Sequence, residues 1–199
     1  LKVFVPSLEI GKLNIQSGGN YNVEEFAEND THNLNSDILI CKVLTYYQSY
    51  SSIVVRTFMI DADKSQQRYY KILYEAFMNL TNLIQPGAVL GEVYSKVKEE
   101  IVSMDASLED KIPDSFGYGI GLQNEEKKLR ICANSTVTVE EGMAFYLDLS
   151  LKNLKRDQLE YCLQLGDTIL IPFTKADKKV LTDNSPKTLT DIFYNYDDE

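Results

Sequence analysis

The strongest hydrophobic pattern in the chain is a pair of apolar runs on either side of a short polar stretch. The first run covers residues 37–47 and the second covers residues 53–61, and both are rich in β-branched and aromatic side chains. This pattern is typical of a β-hairpin. Because the apolar residues are nearly continuous instead of alternating, both faces of the hairpin should be covered, which predicts a place in the middle of a sheet.

The hydrophobic period changes after residue 65. Apolar side chains recur at three- and four-residue spacing over residues 69–84 and again over residues 90–104, which predicts two amphipathic helices. Ser65 or Asp63 is expected to cap the first helix, and Pro86 follows its end. Two such helices after a hairpin predict an α+β fold with helices on one face of a sheet.

The second half of the chain is strand-like again. Residues 116–122 carry glycine at every second position, and residues 143–150 form a strong strand pattern. We predict a short strand over residues 129–132, a charged linker over residues 152–159 and a closing hairpin made of residues 161–163 and 167–171. The first 13 residues receive no assignment, and the tail from residue 175 is expected to dock only in part.

Composition narrows the class of protein. The 199 residues fit one large domain or two small ones, with no apolar run near the ~20 residues of a membrane span. The formal net charge of −10 repels nucleic-acid phosphates and favours basic partners, although surplus carboxylates also serve solubility alone. Cys41, Cys132 and Cys162 lack a CxxC spacing, which indicates reduced thiols of a cytosolic or nuclear protein.

Several segments taken in order carry a resemblance to a known family. They are residues 16–22 (QSGGNYN), 50–57 (YSSIVVRT), 116–121 (FGYGIG), 142–145 (GMAF) and 166–170 (GDTIL). Together they resemble the methionine aminopeptidase, prolidase and creatinase family, and within it the peptidase-like N-terminal domains of the large subunits of FACT histone chaperones. The resemblance implies a pita-bread fold, with the whole chain, residues 1–199, as one domain. It also implies that the chain is a fragment lacking an N-terminal lobe that precedes this domain in the family.

The resemblance further implies that the family's metal site is degenerate here. Enzymes of the family hold two divalent ions with two Asp, one His and two Glu, which activate a water for attack on an amide. Residue by residue, these positions fall on Lys42, Ile53, Tyr118, Asp148 and Gly166. Only Asp148 keeps a carboxylate, so we expect no metal, no cofactor and no catalytic residues, and we expect Lys42 and Asp148 to form an ion pair in the old cleft.

Catalysis by a serine or cysteine nucleophile would lack a suitable general base. The chain holds one histidine, His32, in a polar loop, where an ordinary surface residue is expected. Serine or cysteine catalysis would depend on this one imidazole. A nucleotide-binding reading of residues 116–122 fails because a polar stretch and a strand pattern follow, in place of a helix.

The resemblance therefore implies a non-catalytic, nuclear and chromosome-associated module. Its expected partners are core histones (H3/H4 foremost) or other basic peptides, and through other domains a smaller HMG-box or Pob3-like subunit, without direct binding of naked DNA or of membranes. The implied role is nucleosome disassembly and reassembly during transcription, replication and repair. The alternatives are a metal-dependent aminopeptidase or prolidase with an altered ligand set, and an inactive relative that binds RNA, which the net charge disfavours.

Overall fold

The computed structural model describes residues 7–18, 21–23, 37–173 and 179–195. These residues form an α+β fold in which a mostly antiparallel sheet carries two long helices on one face. The strands are β1 (Leu8–Gln16), β2 (Ile38–Tyr47), β3 (Tyr50–Ile60), β4 (Gly117–Gly119), β5 (Ala144–Arg156), β6 (Leu159–Leu170), β7 (Lys179–Val180) and β8 (Phe193–Tyr194). The helices are α1 (Lys64–Leu83), α2 (Leu90–Met104) and the short α3 (Leu189–Ile192).

The predicted hairpin is confirmed as β2 and β3, and it lies inside the sheet. The strand order is β1-β2-β3-β6-β5-β4, so β1 covers one side of the hairpin and β6 the other. The turn contains only Gln48 and Ser49, both with positive φ. Strand β3 therefore begins at Tyr50 and not at residue 53, because Tyr50, Ser51 and Ser52 still pair with β2.

Both predicted helices are confirmed. Asp63 caps α1, since its carboxylate accepts hydrogen bonds from the backbone N–H groups of Ser65 and Gln66, and the Gln66 side chain accepts from the Asp63 N–H in return. The apolar stripe of α1 packs against β5 and β6, and α2 packs against α1. No helix within the described ranges is long and apolar enough to span a membrane.

Two predictions for the end of the sheet, the linker and the closing hairpin, are wrong. Residues 152–159 are not a linker, because β5 continues to Arg156 and a two-residue turn leads into β6. Residues 161–163 and 167–171 are not two arms of a hairpin but lie along the single strand β6, with Gly166 in its middle. The charged residues of β5 misled the interpretation, since Lys152, Lys155 and Arg156 lie outside the core while Leu151 and Leu154 are buried.

The predicted strand over residues 129–132 is also absent. A 3-10 turn at Lys127–Leu129 leads into a loop that runs along the outer side of β4. There the N–H of Phe116 donates to the carbonyl of Ile131, and the N–H of Ile131 donates to the carbonyl of Gly117. These two bonds cover the edge of the sheet without forming a ladder.

The sheet consists of two three-stranded ribbons, β1-β2-β3 and β6-β5-β4, which meet between β3 and β6. Between β3 and β6 only Val55 and Gly166 are paired within a regular ladder. On one side of this pair the Thr57 hydroxyl bonds both backbone groups of Gln164, at 2.8 and 2.9 Å. On the other side the Thr168 hydroxyl bonds both backbone groups of Ile53, each at 2.8 Å. Side-chain hydroxyls thus replace backbone pairing where the ribbons diverge.

The described part of the tail docks on the helix side of the sheet. Lys187 and Thr182 bond the carboxylate of Asp167 at 2.9 and 2.6 Å. The same carboxylate accepts from Arg56 at 2.6 Å, with both side chains almost fully buried. Strand β8 then pairs in parallel with β3, so residues 179–195 are docked, while the remaining residues of the predicted tail lie outside the described residues.

Candidate functional site

The five residues that the resemblance assigns to metal-ligand positions lie on one face of the sheet. Register pairs Lys42 with Val55, Val55 with Gly166, and Gly166 with Asp148, in one row across four strands. Paired residues share a face and residues two apart along a strand share it too. Ile53 lies two residues from Val55, and Tyr118 pairs with Tyr146, two residues from Asp148. We call the face that carries this row the concave face.

Tyr146 occupies the centre of this face, and the sequence interpretation missed it. A Cβ atom built on Gly166 would lie 2.8 Å from the ring Cε2 and 2.8 Å from the hydroxyl of Tyr146. The Tyr118 ring meets the Tyr146 ring edge-on, with centroids 5.4 Å apart. The alternation of β5 was the available signal, because Tyr146 stands two residues before the predicted ligand position Asp148.

Lys42 brings a positive charge to the same place. Its side chain is 8% exposed, and its Nζ lies 5.4 Å from the centroid of the Tyr146 ring. No described residue accepts a hydrogen bond from this ammonium group. The face of an aromatic ring attracts a cation, so Tyr146 supplies part of the stabilisation that a carboxylate would give.

The predicted ion pair between Lys42 and Asp148 is wrong. The two oxygens of Asp148 accept instead from the side-chain amide of Gln164, at 2.8 and 3.1 Å. Gln164 is 2% exposed and lies on the same face, one strand away from Asp148. Its neutral amide, and not the Lys42 ammonium group, therefore donates to the carboxylate. Burial raises the pKa of the Asp148 carboxyl, and the charge of Lys42 and hydrogen bonds from Gln164 and Tyr146 oppose that rise.

These side chains do not fit a pair of divalent ions. Ile53 has no donor atom, Lys42 is itself a cation, and the space beside Gly166 is taken by the Tyr146 ring. Hard divalent ions require several oxygen ligands, and Asp148 alone provides a carboxylate. Across the described ranges, no group of three or more His, Cys, Asp or Glu side chains is arranged to hold a metal.

Three serines that could serve as nucleophiles, Ser51, Ser52 and Ser115, donate hydrogen bonds to other groups. Ser115 Oγ donates to the carbonyl of Gly117 at 3.1 Å, and Ser51 Oγ donates to the carbonyl of Gly121 at 3.4 Å. Ser52 Oγ donates to the Thr168 hydroxyl at 3.4 Å. His32, the one imidazole of the chain, lies outside the described residues. The described part of the chain therefore contains no nucleophile paired with an imidazole.

A polar cavity of about 390 Å³ opens on the Asp148 side of Tyr146. Its lining combines carboxylates with hydroxyls and two cations: Asp114, Glu125, Asp148, Ser115, Tyr118, Ser150, Arg130 and Lys152. The backbone of Val23 crosses its edge, where its carbonyl lies 3.4 Å from the Gln164 amide nitrogen. The arrangement can bind polar peptide groups through these carboxylates, hydroxyls and cations.

Comparisons with known proteins agree with this geometry. The model of metallopeptidase family M24 matches residues 11–172. The chain is 31% identical over 186 residues to FACT complex subunit SPT16 of Yarrowia lipolytica, covering 90% of this chain and 18% of that protein. The N-terminal domain of FACT complex subunit SPT16 from chickpea, Cicer arietinum, superposes with a TM-score of 0.91 at 30% identity, covering 97% of this chain and 47% of that one.

The same fold occurs in active peptidases. Dipeptidase PepE from Mycobacterium ulcerans superposes with a TM-score of 0.78 at 19% identity, covering 94% of this chain and 47% of that one. At this identity the likeness concerns the fold alone. The expectation of a pita-bread fold is thereby confirmed.

Proposed function

The chain belongs to metallopeptidase family M24, and from this premise we propose that it is a non-catalytic module that binds basic protein segments within a FACT complex. The observation that carries the proposal is the Tyr146 ring, which fills the space beside Gly166 on a sheet of M24 type. The likeness to SPT16 supports the assignment to FACT. The chain spans 18% of the length of those subunits, so it would contribute one contact among several.

The proposed absence of catalysis is supported by the charges and volumes of the side chains on the concave face. A dinuclear site needs negative ligands at positions that here carry Lys42, Ile53 and Gly166. Restoring one ligand alone would leave the Lys42 cation and the Tyr146 ring in place. We therefore propose that the domain neither binds two divalent ions nor hydrolyses peptides.

The choice of partner follows from the surface charge. A net charge of −10 attracts basic segments and repels DNA, and the polar cavity contributes three carboxylates to the concave face. Core histones, H3/H4 foremost, are the basic proteins that a FACT subunit meets in chromatin. Within the complex the domain would act in nucleosome disassembly and reassembly during transcription, replication and repair, beside the smaller HMG-box or Pob3-like subunit that other domains bind. Its location would be nuclear.

Capture of purified core histones by the immobilised 199-residue chain tests the proposal. We expect capture of H3/H4 at 100 mM salt, its loss as salt is raised, and no retention of naked DNA. The same preparation, supplied with manganese or cobalt, should leave X-Pro and Met-X peptides intact. Absence of histone capture at low salt would refute the binding role, and metal-dependent hydrolysis would establish the alternative, an aminopeptidase or prolidase with an altered ligand set.

A further inference from the structure

A second depression lies on the concave face, on the other side of Tyr146 from the polar cavity. It encloses about 660 Å³ and is lined mainly by apolar side chains. The pair Ala144 and Leu170 forms its floor, one step along the ladder beyond the pair Tyr146 and Thr168. Because residues two apart share a face, this apolar groove and the polar cavity are neighbours separated by the Tyr146 ring.

The walls of the apolar groove expose large hydrophobic side chains. Phe173 is 78% exposed, Tyr50 is 59% exposed and Leu181 is 46% exposed. The Phe173 ring rests on Gly142, where φ is +82° and an added Cβ would overlap the ring. Single exposed hydrophobics are ordinary, but several around one concave groove mark a surface that a partner covers.

Two carboxylates also line the apolar groove. Glu126 is half-buried and Glu141 is exposed, and neither side chain has a hydrogen bond or ion pair with a described residue. The nearby Lys127 and Lys128 are exposed and do not belong to the lining. An apolar floor beside two unpaired carboxylates is complementary to an apolar side chain accompanied by cations.

We propose that the apolar groove binds an extended protein segment in which a large apolar residue is flanked by Lys or Arg. The apolar residue enters between Phe173, Leu170 and Met143, and the flanking cations pair with Glu126 and Glu141. This inference rests on the proposed function in so far as the partner is basic, and it adds that charge alone is insufficient. Unanchored basic tails would then bind weakly, because surface ion pairs contribute little and are screened by salt.

Two fluorescein-labelled dodecapeptides test this specificity. Both carry two Arg on each side of a central pair in a Gly-Ser background; the central pair is Leu-Leu in one peptide and Ser-Ser in the other. In fluorescence anisotropy with the 199-residue chain we expect the Leu-Leu peptide to bind at least tenfold more tightly. Equal affinities for the two peptides would overturn the proposal.

Variants with matched controls locate the binding. Phe173→Asp should weaken binding of the Leu-Leu peptide at least tenfold, whereas Leu159→Asp, a 58% exposed leucine at the far end of the β5–β6 hairpin, should leave it unchanged. Glu141→Lys should weaken binding several-fold more than Glu99→Lys on α2, which changes the net charge equally. Equal effects within either pair would place the binding elsewhere and refute the groove.

Folding and the proposed function are separated by two further readouts. Each variant must retain the circular dichroism spectrum and melting temperature of the parent chain. If Phe173→Asp fails that check, Tyr50→Ser takes its place with the same expected direction. If the Phe173→Asp and Leu159→Asp variants both capture histones as well as the parent chain does, the apolar groove is refuted but the proposed function is not. If the parent chain itself captures no histones, the proposed function is refuted.

Discussion

The ring of Tyr146 on β5 occupies the space beside Gly166 on β6 that a larger side chain at residue 166 would need. A Cβ on residue 166 would lie 2.8 Å from two atoms of Tyr146 and 3.0 Å from the carbonyl oxygen of Leu147. The tyrosine is 0% exposed, so its ring cannot move into solvent without opening the core. Glycine at 166 is therefore required by its close packing against Tyr146 and the Leu147 carbonyl oxygen.

We predict that Gly166→Ala lowers the free energy of unfolding by about 1–3 kcal/mol, the usual cost of overpacking. In a Tyr146→Ala background the same change should cost less, because the ring is gone while the Leu147 carbonyl remains. Urea unfolding of both single variants and the double variant gives the coupling. Gly121→Ala is the matched control, since its Cβ would meet nothing closer than 3.9 Å. An equal cost of Gly166→Ala in both backgrounds would show that the ring does not fill this space.

A second prediction concerns the carboxyl group of Asp148, whose pKa is raised by burial. A raised pKa in the folded state means that folding favours the protonated form, so this group lowers stability progressively as pH rises above its unfolded value of about 3.9. Asp148→Asn removes that titration. The difference in unfolding free energy between Asp148→Asn and the parent chain should therefore shift in favour of the variant between pH 4.5 and pH 7.5.

Chemical denaturation at those two pH values measures this shift. Glu99→Gln, which neutralises an exposed carboxylate on α2, is the control for the general loss of negative charge. A stability difference for Asp148→Asn that does not change with pH would show that solvent or Lys42 fully compensates the buried charge.

The sequence predicted which residues share the concave face but not which contacts their side chains form. The resemblance located five positions that register then brings onto one face, because motif spacing along two hairpins determines which residues become neighbours. It could not reveal the Gln164 amide that binds Asp148, since that contact depends on side-chain reach across strands. It also gave no reason to single out Tyr146, which in sequence is one aromatic residue within a strand.

At the scale of elements, the amphipathic period predicted the helices correctly, whereas charged residues led to wrong ends for the strands. Helices α1 and α2 match the predicted amphipathic pattern because the spacing is sustained over several turns, and Asp63 caps the start of α1, whereas no side chain caps the start of α2. The interpretation ended β5 at residue 150 and divided β6 into two strands. Long strands whose ends extend beyond the core carry charges there, so the sequence resembles a linker although the backbone ladder continues to Arg156 and Leu159.

Strand β1 illustrates a different limit. Residues 8–13 are largely exposed, and a bulge between Ile10 and Lys12 interrupts the register with β2. An edge strand with one bulge loses the alternation that identifies strands in sequence. Strand β1 is defined by its pairing with residues 40–47, and the local sequence pattern does not predict this pairing.

At the scale of the whole molecule, Arg56 joins both ribbons and the tail. Its guanidinium donates to the carbonyls of Val55 and Gly166 at 2.8 and 2.7 Å, to Asp167 at 2.6 Å and to the carbonyl of Ser185 at 3.1 Å. The Arg56 and Asp167 side chains are 3% and 1% exposed. Removing the arginine leaves a buried carboxylate with Lys187 as its remaining cation.

We predict that Arg56→Met lowers the free energy of unfolding by about 3–5 kcal/mol, the usual cost of breaking a buried ion pair from one side. Arg68→Met is the matched control, because its ion pair with Asp105 is surface-exposed and should contribute at most about 1 kcal/mol. Urea unfolding monitored by circular dichroism provides both values. A cost for Arg56→Met no greater than that of the control would show that the tail and the two ribbons are held together without it.

The crowding of Tyr146 against Gly166 also determines how a metal site could be engineered on this face. A glutamate at 166 is excluded until residue 146 becomes small, and an aspartate at 53 would insert a charge among buried apolar groups before any ion could compensate it. Either substitution alone would therefore lower the stability of the fold without completing a set of ligands, so these residues would have to be replaced together.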